Sequence, residues 1–442
     1  MKRMSKNKRS SLLIKIMSSP IVKNIECQLR VIMIAWLLFF LQDVICHASD
    51  EVVIGVATSL TLLEGKESAM AVNLAAEEIN RKGGVKVGKI FAPIKVKSVD
   101  LRDAYVDTPV SRALTDLEGF IKQEHVHAVL VGPFRSEVLL AGMDMISQNK
   151  VPVLGTIAMS AATEARILKD PKYRNIFRTG LNSKYFVEYL IKTMKFLRAK
   201  FGFNRVYIMN QDVAWTRAAS SLLIRLYFDR AGWKVISLDT YPSGASNFSE
   251  SLRNANEKGA QVILAIFDMP ESGVLIKQWN QMKIPAILCG FLSPMVGTNA
   301  WEAFDGKIAG ALNVIFEVGN VPAPKFKPAN DFYMEYKNRY GGDIQAGHGP
   351  APAYESVYLL ADAIQRSGSL RPEKLVMALE YADRIGAMGR IRFHKGHQVI
   401  FGEDPREEAL ACVIQWTKHG ERKIVYPPSI AEGEIELPEH VK

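Results

Sequence analysis

A guanidinium and a hydroxyl stand side by side in Gly132-Pro-Phe-Arg-Ser136, directly after the short apolar run Ala128-Val-Leu-Val131. Such a run suits a strand buried on both faces of a parallel sheet. The apolar positions Val138, Leu139, Ala141, Gly142, Met145 and Ile146 that follow have helical spacing, so Ser136 reads as a helix N-cap. A helix start offers free N–H groups and the positive end of a dipole, which suit an anion such as a carboxylate. Arg135 adds a second anion partner, although the same pattern also describes an ordinary capped turn beside a surface arginine. In open α/β sheets, ligands lie beyond the carboxyl ends of the strands, which is where this turn falls.

Catalytic patterns are missing from the rest of the chain. His125, His127, His348, His394 and His397 are scattered without metal-ligand spacing. There is no Gly-x-Ser-x-Gly elbow and no phosphate-cradling Gly-x-x-x-x-Gly-Lys. The sequence therefore predicts binding, not catalysis, with no metal and no cofactor.

Two features set the compartment. Residues 1–30 are rich in Lys and Arg, and Val31-Ile-Met-Ile-Ala-Trp-Leu-Leu-Phe-Phe-Leu41 is an unbroken apolar block. That block is shorter than a membrane span but matches a secretory core followed by Cys46-His-Ala48. A signal peptide over 1–48, a mature start at Ser49 and a soluble protein in the periplasm are expected. Cys46 lacks the small residue that a lipoprotein signal needs before it. Of the 56 Lys and Arg and 46 Asp and Glu, eight basic and two acidic residues fall in 1–48. The remainder carries about +4 against +10 for the whole, and no basic, aromatic-interleaved patch points to nucleic acid. Only Cys289 and Cys412 remain after the leader; both lie in apolar runs, where buried thiols and a disulfide are both open.

Strands and helices then alternate, which implies βαβ units and a mainly parallel sheet. Strands are expected at 52–57, 94–99, 128–131, 151–156 and 176–179, and a second set at 205–209, 233–238, 262–267, 286–288 and 307–315. The helix ending at Lys82-Gly-Gly84 stops on residues that accept a left-handed backbone. The Pro- and Glu-rich end, 427–442, is expected to be a flexible tail.

The chain resembles type 1 periplasmic solute-binding proteins, in the leucine/isoleucine/valine-binding branch that serves ABC importers. The resemblance is carried by Ala75-Ala-Glu-Glu-Ile-Asn80 with Gly83-Gly84-Val85, then Gly132-Pro-Phe-Arg-Ser136, Val151-Pro-Val153 and Ile176-Phe-Arg-Thr179. Asn247-Phe-Ser249, Tyr336 to Gly341 and Ala353-Tyr-Glu-Ser-Val-Tyr358 complete it. It implies an α/β fold of two similar Rossmann-like lobes joined by three crossovers, near 179–182, 310–314 and 393–409. The N-terminal lobe would hold 49–180 and 312–394, the C-terminal lobe 181–311 and 395–426. It implies a monomer that captures a small amino-acid-like or carboxylate-bearing solute between the lobes and hands it to an ABC permease in the inner membrane. A ligand sensor acting with a signalling partner is the alternative.

By the same resemblance, Ser136 meets the ligand carboxylate. The segment 156–163 supplies a second hydroxyl and backbone groups, through Thr156, Ala158 and Ser160 or through Ala161-Ala-Thr163. Trp215 falls where the other lobe supplies an aromatic lid, and Asp268 at a further cleft position that could equally cap the next helix. The acid that meets the ligand ammonium in this family falls near Leu292, where Cys289-Gly-Phe-Leu-Ser293 has none. Either Asp268 replaces it or the solute is not an ordinary α-amino acid.

Overall fold

A computed structural model describes residues 51–105 and 107–441. The expected leader, 1–48, and the mature start at Ser49 lie outside the described residues.

Five parallel strands make the first sheet, in the order Ile94–Asp100, Val52–Thr58, Ala128–Val131, Val153–Gly155, Ile176–Arg178. Four more make the second, in the order Ile287–Leu292, Val262–Phe267, Arg205–Gln211, Lys234–Tyr241, again parallel. The strands written as continuous apolar runs, Ala128–Val131, Val262–Phe267 and Ile287–Leu292, are buried at every position, as strands covered on both faces must be. Lys234–Tyr241 lies at the sheet edge and mixes exposed with half-buried residues.

A third, antiparallel sheet joins Leu312–Ile315, Cys412–Trp416 and Arg422–Tyr426. The strand expected to begin at 307 starts only at Leu312. Its Asn313 side chain accepts from Leu292 N at 2.8 Å and donates to Leu292 O at 3.2 Å. One amide thereby acts as the missing strand partner and continues the second sheet into the third.

Helix Leu63–Arg81 buries Ala71, Val72, Leu74, Ala75, Ala76 and Ile79 and packs against helix Pro350–Ser367. Asn80 at its end clasps Ile94 through both its amide groups, at 2.7 and 2.8 Å. Gly84, at φ +89°, brings its Cα within reach of Ala92, whose carbonyl oxygen a Cβ would meet at 2.4 Å. The motif thus fixes helix to strand, and its glycine is required by contact as well as by conformation.

The C-terminal segment, expected to be flexible, is docked. Ile430, Ile435 and Val441 are buried, Gln415 and Glu436 exchange two hydrogen bonds, and Lys200 pairs with Glu434 at 2.6 Å. Three widely spaced apolar residues do this, which an average over a Pro- and Glu-rich stretch conceals. Cys289 and Cys412 are free, buried thiols. Among the described residues no helix is long and apolar enough to cross a membrane.

Candidate functional site

Ser136 is the first residue of helix Ser136–Asn149 and does not cap it; Arg135 occupies the N-cap position with an extended backbone. The Ser136 hydroxyl instead accepts from the backbone N–H of Met159 at 3.1 Å and of Ser160 at 3.0 Å. Both acceptor sites of the oxygen are thereby used, leaving its proton free to donate. The loop after strand Val153–Gly155 is in this way folded onto the helix start.

The anion at that helix start is the protein's own. Asp103 Oδ2 accepts from Phe134 N at 2.7 Å and Arg135 N at 3.1 Å, while Ser59 donates to Oδ1 at 3.1 Å. Asp103 is fully buried, and burial raises its carboxyl despite these donors. Phe134 and Arg135 precede the first helical residue, so Asp103 occupies the turn before the helix and not the N–H groups of Ser136 and Glu137. Arg135 donates through Nη2 to Thr108 O at 2.7 Å, while its buried Nε has no partner among the described residues.

The rest of the loop is built from three parts. Thr156 is buried and its hydroxyl has no partner among the described residues. Ala158 is buried in an apolar cluster with Leu139 and Ile176. Ser160 spends its hydroxyl on Ala162 N at 3.3 Å, and its carbonyl accepts from Arg178 Nη2 at 2.9 Å. Thr163, from the other register, also takes Arg178 Nη2, at 3.1 Å. Gly180 passes so close beneath that a Cβ would stand 2.0 Å from Thr156 O.

On the second sheet, Trp215 stands in the first turn of helix Ala214–Leu223. Its indole N–H donates to Asp268 Oδ2 at 2.9 Å, just past the end of strand Val262–Phe267. The rings of Phe186, Phe291 and Phe316 surround the indole at centroid distances of 5.8, 6.2 and 6.2 Å. Asp268 caps no helix: Met269 and Ser272 hold the cap positions that follow. Burial, with a further push from the Glu137 charge, raises its carboxyl.

Sequence reasoning did not find Glu64. It lies in the first turn of helix Leu63–Arg81, and its Oε1 accepts from Ser293 Oγ at 3.2 Å. Ser293 follows the buried Leu292. Burial raises the Glu64 carboxyl most, and the Asp268 charge adds to the rise. No local spacing announces such an acid, since it reaches its place only when the two sheets come together. Glu317 and His348 were missed for the same reason. The buried Glu317 carboxylate accepts from Leu181 N, His348 Nδ1, Gly349 N and Asn320 Nδ2, while His348 Nε2 lies 2.7 Å from Ile157 O. With a carboxylate on one nitrogen and a carbonyl on the other, His348 donates twice and is an imidazolium.

Hydroxyls stand at the strand ends of the first sheet and an aromatic–acid pair at those of the second, in a two-lobed α/β architecture. The chain belongs to the periplasmic binding protein family, whose profile matches residues 52–402. Leu/Ile/Val-binding protein homolog 7 of Brucella suis is 24% identical over 390 residues, covering 85% of this chain and 91% of that protein. The substrate-binding protein LivJ of Streptococcus pneumoniae, solved with isoleucine, superposes with a TM-score of 0.68 at 18% identity, covering 85% of this chain and all of that one (100%). The leucine-binding protein LivK of Thermotoga maritima gives 0.67 at 20% identity, covering 84% and 97%.

Proposed function

We propose that this protein is the extracytoplasmic solute-binding component of an ABC import system. In this reading it works in the periplasm as a monomer, holding a small amino-acid-like or carboxylate-bearing solute between its lobes and delivering it to an inner-membrane permease. One lobe comprises the first sheet with the helices that pack on it, the other the second and third sheets.

The observation that carries this reading is the Ser136 hydroxyl, whose oxygen is saturated by Met159 and Ser160 while its proton remains unspent. Beside it, Thr156 offers a second buried hydroxyl. A solute carboxylate would take these two donors, Ala158 and Ser160 would shape the wall, and Trp215 would cover the solute from the other lobe. The groups bind and do not react, because no nucleophile among them stands beside a free base.

The test is to identify, by mass spectrometry, the small molecule released when the purified protein is denatured, and then to titrate it back. Tight binding by the wild type, weakened in both Ser136→Ala and Trp215→Ala, is expected. Wild-type affinity in both variants would show that the solute binds elsewhere.

A further inference from the structure

We propose that the solute carries a net positive charge, with an ammonium held between Glu64 of one lobe and Asp268 of the other beneath the Trp215 indole. This rests on the solute-binding reading above and narrows it to a class of solute.

The argument starts from charge. Glu64 meets a serine hydroxyl, Ser293 Oγ, at 3.2 Å, and Asp268 meets an indole N–H at 2.9 Å. Neither of them, nor Glu137, belongs to an ion pair among the described residues. His348, whose charge bears on Glu64, is itself paired with Glu317 at 2.8 Å. Glu64 and Asp268 are half-buried, and carboxylates partly withdrawn from water without an ion-pair partner are costly. Burial accordingly raises both carboxyls, and Asp268 adds to the rise on Glu64.

A second observation is independent of the acids. Thr58 Oγ1 and Ser68 Oγ are fully buried and have no partner among the described residues. They flank the Glu64 turn. The Thr58 methyl lies 3.2 Å from where a Cβ would sit on Gly65, and Ser68 Oγ lies 2.4 Å from the corresponding point on Gly349. The same point on Gly349 is 3.5 Å from Glu64 O. Hydroxyls buried without a partner are rare in native proteins and ask for a missing group.

The anion side adds nothing to balance this. Asp103 already occupies the Phe134 and Arg135 N–H groups, so a solute carboxylate would meet neutral hydroxyls. A zwitterion such as leucine brings no net charge to a site that holds Glu64 and Asp268. A solute with one ammonium more than its carboxylates does. The indole face adds cation–π attraction.

The experiment is isothermal calorimetry on the purified, ligand-stripped protein with L-lysine, L-arginine, putrescine, L-leucine and benzoate. At least one of the first three should bind at least tenfold more tightly than leucine, with no detectable binding of benzoate. Glu64→Gln and Asp268→Asn should each weaken that cation at least tenfold, and thermal melts should show both variants folded. Should either variant fail to fold, the ranking of the five probes on the wild type decides. Leucine or benzoate binding at least as tightly as any cation would overturn the inference while leaving solute binding intact. Silence from all five would also overturn it, and the solute released by denaturation would still test the broader reading.

Discussion

Ser136 shows how one hydroxyl can belong to two structures at once. Its oxygen fastens Met159 and Ser160 of the loop, and its proton is spent in neither bond. Ser136→Ala should therefore lower solute affinity by about 1.5–3 kcal/mol if the partner is a carboxylate, the usual worth of a hydrogen bond to a charged group. It should also lower thermal stability, because two buried N–H groups lose their acceptor. Calorimetry and a thermal melt of the same variant separate the effects. Trp215→Ala should weaken binding with less effect on the 156–160 loop, since the indole bonds only to Asp268 among the hydrogen bonds described. Asp268→Asn should hurt more than Ser136→Ala for an ammonium-bearing solute and little for an anionic one. A competition assay with the released solute reads the difference.

The elements that carry these residues were largely legible. Buried parallel strands announced themselves as apolar runs, and Gly83-Gly84 as a helix stop, because burial on both faces and a left-handed backbone leave marks within a few residues. The helix Ser136–Asn149 was also legible, but its cap was not. Choosing Ser136 set the cap one residue late: Arg135 holds that position, and Asp103, distant in sequence, takes the N–H groups of Phe134 and Arg135 through the fold. Glu64, Glu317 and His348 were hidden likewise, for their partners lie far along the chain. Asp103→Ala should destabilise the protein by about 1–3 kcal/mol by leaving buried donors unpaired, measurable by urea titration. Gly180→Ala, which drives a Cβ against Thr156 O, should disturb the same loop from below. Loss of solute binding with a folded core is the expected result.

For the molecule as a whole, two buried groups set a pH response of the same sign. Glu67 accepts from Gln345 N and Ala346 N, yet burial pushes its carboxyl up to about 7. The folded state holds that proton where the unfolded chain has lost it, so stability falls as pH rises from about 4.5 to 7. His348 is lowered by burial but raised more by Glu317, and stands above its ordinary value. Its contribution is full below about pH 6.5 and is lost as pH rises through the raised value. Melting temperature should decline between pH 5 and 8 (roughly the window these two shifts define). Glu67→Gln should flatten the lower part of that decline. Glu317→Ala, which strands a buried imidazolium, should cost about 3–5 kcal/mol. A pH series of thermal melts tests all three. Small-angle scattering with and without solute should show compaction on binding, since a ligand touching both lobes favours the closed arrangement.

The Glu317 carboxylate gathers Leu181, Asn320 and Gly349 about one centre, and its imidazolium partner reaches Ile157 in the loop after strand Val153–Gly155. Segments far apart in sequence thus meet at a common knot. A displacement of one of them is felt by the others and by Ile157, with the imidazole ring as the link.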